Sequence, residues 1–169
     1  QYGDAFLLRR SLFMPWELAD IMDPDLAREG LAALDIRARL RQTAAPIASP
    51  RAKLTALESA WYMQNQLLRD SDWAGMAHSL EIRVPLVDIA LLRALAPMIN
   101  GARPPGKADM AASPAQALPE AVLNRKKTGF SVPVRDWLGA DEPGTQERGL
   151  RGWARIVHGR LWQGETVTR

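Results

Sequence analysis

The sequence predicts an all-α chain, and three observations carry that reading. Apolar residues recur at helical spacings of three, four and seven almost throughout. No run alternates apolar and polar residues as a half-buried strand would. Small polar residues stand directly before prolines (Asp23-Pro24, Ser49-Pro50), where a helix cap meets a helix start. About seven to nine helices follow from these patterns. A chain of 169 residues with 47% apolar and 24% charged residues has the balance of one globular domain.

In chain order, Tyr2 to Arg10 reads as a short helix ending near Ser11, and Pro15 opens a second one ahead of Trp16, Leu18 and Ala19. Asp23 caps a longer helix whose apolar face is Leu26, Leu31, Leu34, Ile36 and Leu40. Residues 43–49 read as a small-residue linker. The helix starting at Ser49-Pro50 places Leu54, Leu57, Trp61 and Leu68 on one stripe, which is expected to be core. After a tight segment, Glu81 to Val84, residues 85–98 predict another buried helix. A Pro/Gly loop spans 100–106. Helix resumes over 107–117, and Leu118-Pro119 introduces a short turn of helix to Leu123. A basic loop, 124–132, leads to a short helix over 133–138 carrying Trp137. After a loop over 140–145, a last helix covers 146–158, with Arg148, Arg151 and Arg155 along one side.

Several function classes are excluded or weakened by composition. With no cysteine there is no disulfide, thiolate metal site or cysteine nucleophile, and a cytoplasmic setting is favoured. His78 and His158 are too far apart for a local metal site, so no metal ligand set is expected within the chain. The longest apolar run, Ile89 to Ile99, is interrupted by Arg93 and is too short for a membrane span. No signal peptide is read at the start. Of 22 basic residues four are lysines (Lys53, Lys107, Lys126, Lys127) and the rest arginines, interspersed with acids, so nucleic-acid binding is not the expected role. The chain begins at Gln1 in mid-helix, which reads as a piece of a longer protein.

No phosphate-binding glycine loop, zinc-ligand pair or serine elbow is present. Two segments nonetheless carry more chemistry than a scaffold needs. The first, Asp72 to Asp88, sets Asp72, His78, Glu81, Arg83 and Asp88 in an apolar stretch. If those charges are buried they must pair, as Glu81–Arg83 or Arg83–Asp88, to fix a chain reversal; the other reading is a substrate pocket wall. His78 alone reads as a structural histidine. The second segment, Leu118 to Pro133, groups Arg125, Lys126 and Lys127 with Gly129 and Phe130. A cationic loop anchored by an aromatic suits charge stabilisation on a phosphorylated intermediate, against a solvated basic turn as the default.

These two segments resemble the signatures of the C-terminal, synthetase domain of glutamine-hydrolysing asparagine synthetases. The first matches at Asp72, Met76 to Glu81, Arg83 to Pro85, and Asp88; the second at Leu118-Pro119, Arg125, Lys127, Gly129-Phe130 and Val132-Pro133. Residues 7–17 and 148–158 are similar to members associated with exopolysaccharide gene clusters. The resemblance covers nearly the whole chain. It implies the helical C-terminal part of an α/β adenine-nucleotide α-hydrolase-like (PP-loop ATP pyrophosphatase) domain, with residues 1–169 all-α once parted from the sheet.

The resemblance further implies a ligase that adenylates aspartate with Mg-ATP and amidates it with ammonia drawn from glutamine. Lys127 matches the catalytic lysine that stabilises negative charge. Asp72, Glu81, Arg83, Asp88 and Arg125 match positions carried over as pocket wall or structural support. The family's Ser-Gly-Gly-x-Asp-Ser pyrophosphate loop and its N-terminal glutaminase domain are absent from this chain. The piece alone is therefore expected to be inactive, with neither ATP nor magnesium bound. Trp73, Val87 and Lys126 replace the usual Arg, Leu and Pro, which leaves the acceptor carboxylate open. The missing N-terminal part of the same protein is the expected partner, across an apolar face through which the isolated chain could self-associate. The rival reading is a stand-alone helical binding module without catalysis.

Overall fold

The computed structural model describes residues 2–126, 128, 133, 147 and 150–162. Among them every regular element is helical, as the periodicity predicts. In chain order they are α1 (Tyr2–Arg10), a 3₁₀ turn (Pro15–Asp20), α2 (Pro24–Leu34), α3 (Ile36–Ala44) and α4 (Pro50–Leu57). A π-helical stretch (Glu58–Leu68) follows, then α5 (Arg69–Met76), α6 (Ile89–Ile99), α7 (Lys107–Ala112), α8 (Glu120–Leu123) and α9 (Arg151–Trp162).

Two compact units make up the chain: Gln1–Arg9 with Ile36–Lys127, and Arg10–Asp35 with Thr128–Arg169. In the first, Phe6, Leu40, Ala44 and Leu57 form the buried core, and Tyr2, Leu7, Ile36, Trp61 and Tyr62 pack around it. Gly3 lets α1 and α3 approach closely, since a Cβ there would stand 3.0 Å from that of Leu40. The Trp61 indole N–H donates to Thr43 Oγ1 at 3.0 Å, so the ring's polar edge is satisfied as its face packs. In the second unit the 3₁₀ turn packs against α2, and Ala27 and Gly152 are buried.

The predicted caps form. Asp23 Oδ1 accepts from the N–H groups of Asp25 and Leu26 at 3.0 and 2.9 Å, and Ser49 Oγ accepts from Ala52 at 3.4 Å. The single long helix expected over Leu26 to Leu40 is instead two. Asp35 takes the left-handed conformation (φ 40°) and closes α2 through its N–H to Leu31 O. Aspartate tolerates that region better than most side chains, so it can end one helix and begin another. Consequently Leu26 and Leu34 stay exposed while Leu40 is buried in the other unit's core.

Other boundaries shift for local reasons. Thr43 and Ala44 belong to α3, which shortens the linker. The helix expected from Pro85 begins at Ile89, because Asp88 Oδ1 takes the Leu91 N–H at 2.7 Å and 84–87 form a turn. The stretch from Lys107 stops at Ala112: Ser113 keeps helical angles (φ −75°, ψ −25°), but Pro114 follows it and has no N–H to extend the helix. Among the described residues the last helix is Arg151–Trp162, which runs past the expected end at His158. The helix expected over 133–138, Trp137, Arg148 and the loop over 140–145 lie outside the described residues, apart from Pro133.

The stripe Leu54, Leu57, Trp61, Leu68 is core only in part: Leu57 is fully buried, Trp61 half-buried, and Leu54 45% exposed. Beyond Leu57 the backbone is π-helical, and its bonds close one residue later than in an α-helix, so the 3.6-residue spacing does not carry through to Leu68. The buried helix expected over 85–98 is likewise exposed. Leu80, Ile82, Val84, Leu86, Val87, Ile89, Leu91, Leu92, Leu95 and Met98 all face solvent.

Candidate functional site

The first signature is built as a helix stop. Ser79 takes φ 57°, its N–H donates to Met76 O at 3.0 Å, and the Leu80 N–H reaches back to Gly75 O at 2.9 Å. That pair of bonds is a Schellman ending for α5. The reversed chain then lies against the helix at Gly75, the one buried residue of α5. A Cβ at Gly75 would stand 2.7 Å from Leu80 O and 3.1 Å from the Ile82 side chain.

This geometry makes a contrasting prediction. Gly75→Ala should destabilise the chain by about 1–3 kcal/mol, because backbone cannot yield as a side-chain tip can. Gly30→Ala in α2 meets nothing within 4 Å and should stabilise by about 0.5–1 kcal/mol. Urea midpoints of the two variants check this, and movement in the same direction would contradict the packing account.

The charged residues of the signature are solvated, not buried as the apolar surroundings suggest. Arg83 Nη2 lies 3.1 Å from Glu81 Oε1, with the side chains 81% and 71% exposed, so the first expected pair forms across the reversal. An ion pair so exposed adds little stability. The alternative Arg83–Asp88 pair does not form, since Asp88 is occupied as the cap of α6. Asp72 is exposed on α5, and His78 is exposed with its backbone N–H on Gly75 O.

Of the second signature, Pro119 precedes α8 and Arg125 follows it, exposed, its N–H 3.4 Å from Val122 O. Lys127, Gly129, Phe130 and Val132 lie outside the described residues. Of the expected site residues that are described, the structure brings Glu81 and Arg83 together, while Asp72, Asp88 and Arg125 stand on separate elements. No three His, Asp or Glu groups converge to hold a metal ion among the described residues. No described helix is long and apolar enough to cross a membrane.

A cluster that the sequence reading missed organises the second unit. Arg151, at the start of α9, grips Glu17 with both terminal nitrogens, Nη2–Oε1 at 2.7 Å and Nη1–Oε2 at 3.2 Å. It also donates to Leu12 O at 3.2 Å and to Glu147 Oε2 at 3.3 Å. Its guanidinium and that of Arg155 sit 4.7 and 5.3 Å from the Phe13 ring centre. Arg151 and Arg155 were legible as one side of a helix. The partner of Arg151, Glu17, 134 residues away, was not.

The Glu17 carboxyl is held at about 2, first by the Arg151 guanidinium and then by the Met14 N–H, while Arg151 is raised chiefly by Glu17. A carboxyl depressed in the fold favours the folded state only while ionised. That contribution should be complete above Glu17's ordinary value of 4.5 and fade as pH falls toward about 2. Amide exchange along α9 checks it. Wild type should outlast Glu17→Gln at pH 7, with the gap closing near pH 2; a gap constant across that window contradicts the clasp's role.

Compared with known proteins, the chain matches the asparagine synthase family model over residues 6–150. The chain belongs to the asparagine synthase family. It is 32% identical over 121 residues to glutamine-hydrolyzing asparagine synthetases named in Mycobacterium tuberculosis and Mycobacterium bovis, which covers 70% of this chain and 18% of theirs. Asparagine synthetase [glutamine-hydrolyzing] 1 of Bacillus subtilis is 33% identical over 89 residues, covering 51% of this chain and 14% of its own. The chain thus spans less than a fifth of the length of these curated relatives. No solved structure matches significantly. The helical architecture is that of a helical part of this family, and both signatures fall inside the matched region.

Proposed function

We propose that this chain is the C-terminal portion of the synthetase domain of an asparagine synthetase-like ligase. The observation that supports it is the family match over 6–150, which contains both signatures. In the proposed reaction a carboxylate oxygen of aspartate attacks the α-phosphorus of ATP, and pyrophosphate leaves. Ammonia, released from glutamine by another part of the protein, then attacks the acyl carbon; AMP leaves, a proton is lost, and asparagine forms.

Lys127 is assigned the stabilisation of negative charge that builds on the phosphorus in the first step. A compact ammonium suits a charge that moves as the bond breaks. Arg125 and Asp72 are assigned to the pocket wall. Glu81, Arg83 and Asp88 are assigned support: the first two bridge the reversal after α5 and the third caps α6. The described residues offer no cluster suited to magnesium, so the magnesium that accompanies ATP is assigned to residues elsewhere in the protein. ATP is assigned to backbone elsewhere in the protein, which leaves the isolated chain inactive.

The exposed apolar face of residues 80–98 is assigned to packing against the preceding part of the same protein. Contiguous apolar surface of this kind marks an interaction site. Self-association of the isolated chain through this face would show it competent to bury itself without its partner.

The test is an assay of the full-length protein with ATP, aspartate and ammonia, reading AMP and asparagine. Both products are expected. AMP with a different carboxylate only would keep the chemistry and change the substrate. No product with any acceptor would replace this reading with that of a binding module.

A further inference from the structure

Residues 19–23 and the last two turns of α9 enclose a cleft of about 400 Å³, all within the second unit. The α9 wall is His158 and Trp162, one helical turn apart, with rings stacked at 6.0 Å and 16° between planes. This wall lies beyond residue 150, where the family match ends, and is distinct from both signatures. It is fixed in place by the Arg151 clasp two turns earlier in the same helix.

The chemistry of the lining is one-sided. It contains two carboxylates and neither lysine nor arginine. Asp23 is committed to the first N–H groups of α2, but Asp20 is exposed and no described residue forms an ion pair with it. Trp162 is 72% exposed, which leaves the indole face turned away from His158 open to a ligand. Ile21 and Met22, both half-buried, supply apolar surface between the charges. A bare metal ion is disfavoured, since no three ligating side chains converge here.

We propose that this cleft binds a small organic cation of the alkylammonium or guanidinium class. Its charge sits beside Asp20, and its carbon-bearing face lies on the Trp162 ring, where the ring quadrupole attracts cations. Ile21 and Met22 take up the alkyl part. The site stands independently of the ligase reading, because none of its residues belongs to either signature.

The test follows the Trp162 indole N–H by two-dimensional NMR on the 169-residue chain, with tetramethylammonium chloride as probe. Tert-butanol, similar in shape and uncharged, is the counterpart, and sodium chloride holds ionic strength constant. The expected result is a saturable shift at Trp162 with tetramethylammonium and none with tert-butanol. Asp20→Asn should weaken binding about fivefold or more, as removal of the facing charge requires. Asp25→Asn, whose partner is Arg28 outside the cleft, should leave binding unchanged. The other five indole signals report that each variant keeps its fold. Absence of a saturable shift, an equal shift with tert-butanol, or wild-type affinity in folded Asp20→Asn would each overturn the proposal.

Discussion

Lys127→Ala in the full-length protein is expected to lower aspartate-dependent AMP formation by about 10²–10³-fold, the usual effect of removing one group aimed at developing charge. The charge in question exists only as the phosphorus–oxygen bonds rearrange, so the loss should fall on kcat with KM for aspartate little changed. Lys127→Arg is expected to recover only part of the rate. It restores charge, but as a rigid planar fork in place of a compact ammonium. Circular dichroism checks that both variants keep their helical content. A near-wild-type rate in Lys127→Ala would remove this residue from the mechanism while leaving the family assignment in place. Loss of rate wholly through KM would make it a binding residue instead.

Leu57→Ala should be the most damaging single substitution in the core. Leu57 is 0% exposed, and among the described residues the buried cluster that it completes holds three others, Phe6, Leu40 and Ala44. Truncation of a fully buried leucine costs about 2–5 kcal/mol through lost transfer energy and the cavity left behind. Against a total stability of about 5–15 kcal/mol for an ordinary domain, that is a large fraction. Urea unfolding followed by Trp61 fluorescence, beside the cavity, checks it. Leu92→Ala on the exposed face of α6 is the contrast, and should change the 169-residue chain by no more than about 0.5 kcal/mol. In the full-length protein the same change should cost several times more, if the preceding part covers that face. Equal effects in both would argue against the proposed packing.

Local chemistry was the legible layer of this sequence. Asp23 and Ser49 cap helices because a side-chain oxygen two or three residues upstream satisfies N–H groups that the helix cannot. The family, too, was legible, because two ungapped signatures survive in order. Misreadings arose wherever a single residue's backbone state or a long-range contact decided the outcome. Asp35 in the left-handed region split one expected helix into two and divided its apolar residues between two units. The π stretch over 58–68 replaced the expected α spacing, which no 3.6-residue pattern can foresee. Charges set among apolar residues at 81–88 suggested burial, yet hydropathy alone does not say whether apolar neighbours have a partner to bury against.

By itself, then, the sequence determined helical content, most helix starts, the Glu81–Arg83 pair at a chain reversal and membership of the asparagine synthase family. Each rests on interactions spanning a few residues, or on a motif read in order. Only the tertiary structure decided which leucines form the core, that Glu17 and Arg151 meet across 134 positions, and that α9 walls a cleft. Those depend on which surfaces come into contact. Apolar burial is non-directional and a charge accepts any opposite partner, so composition and spacing leave the choice open until the chain has packed.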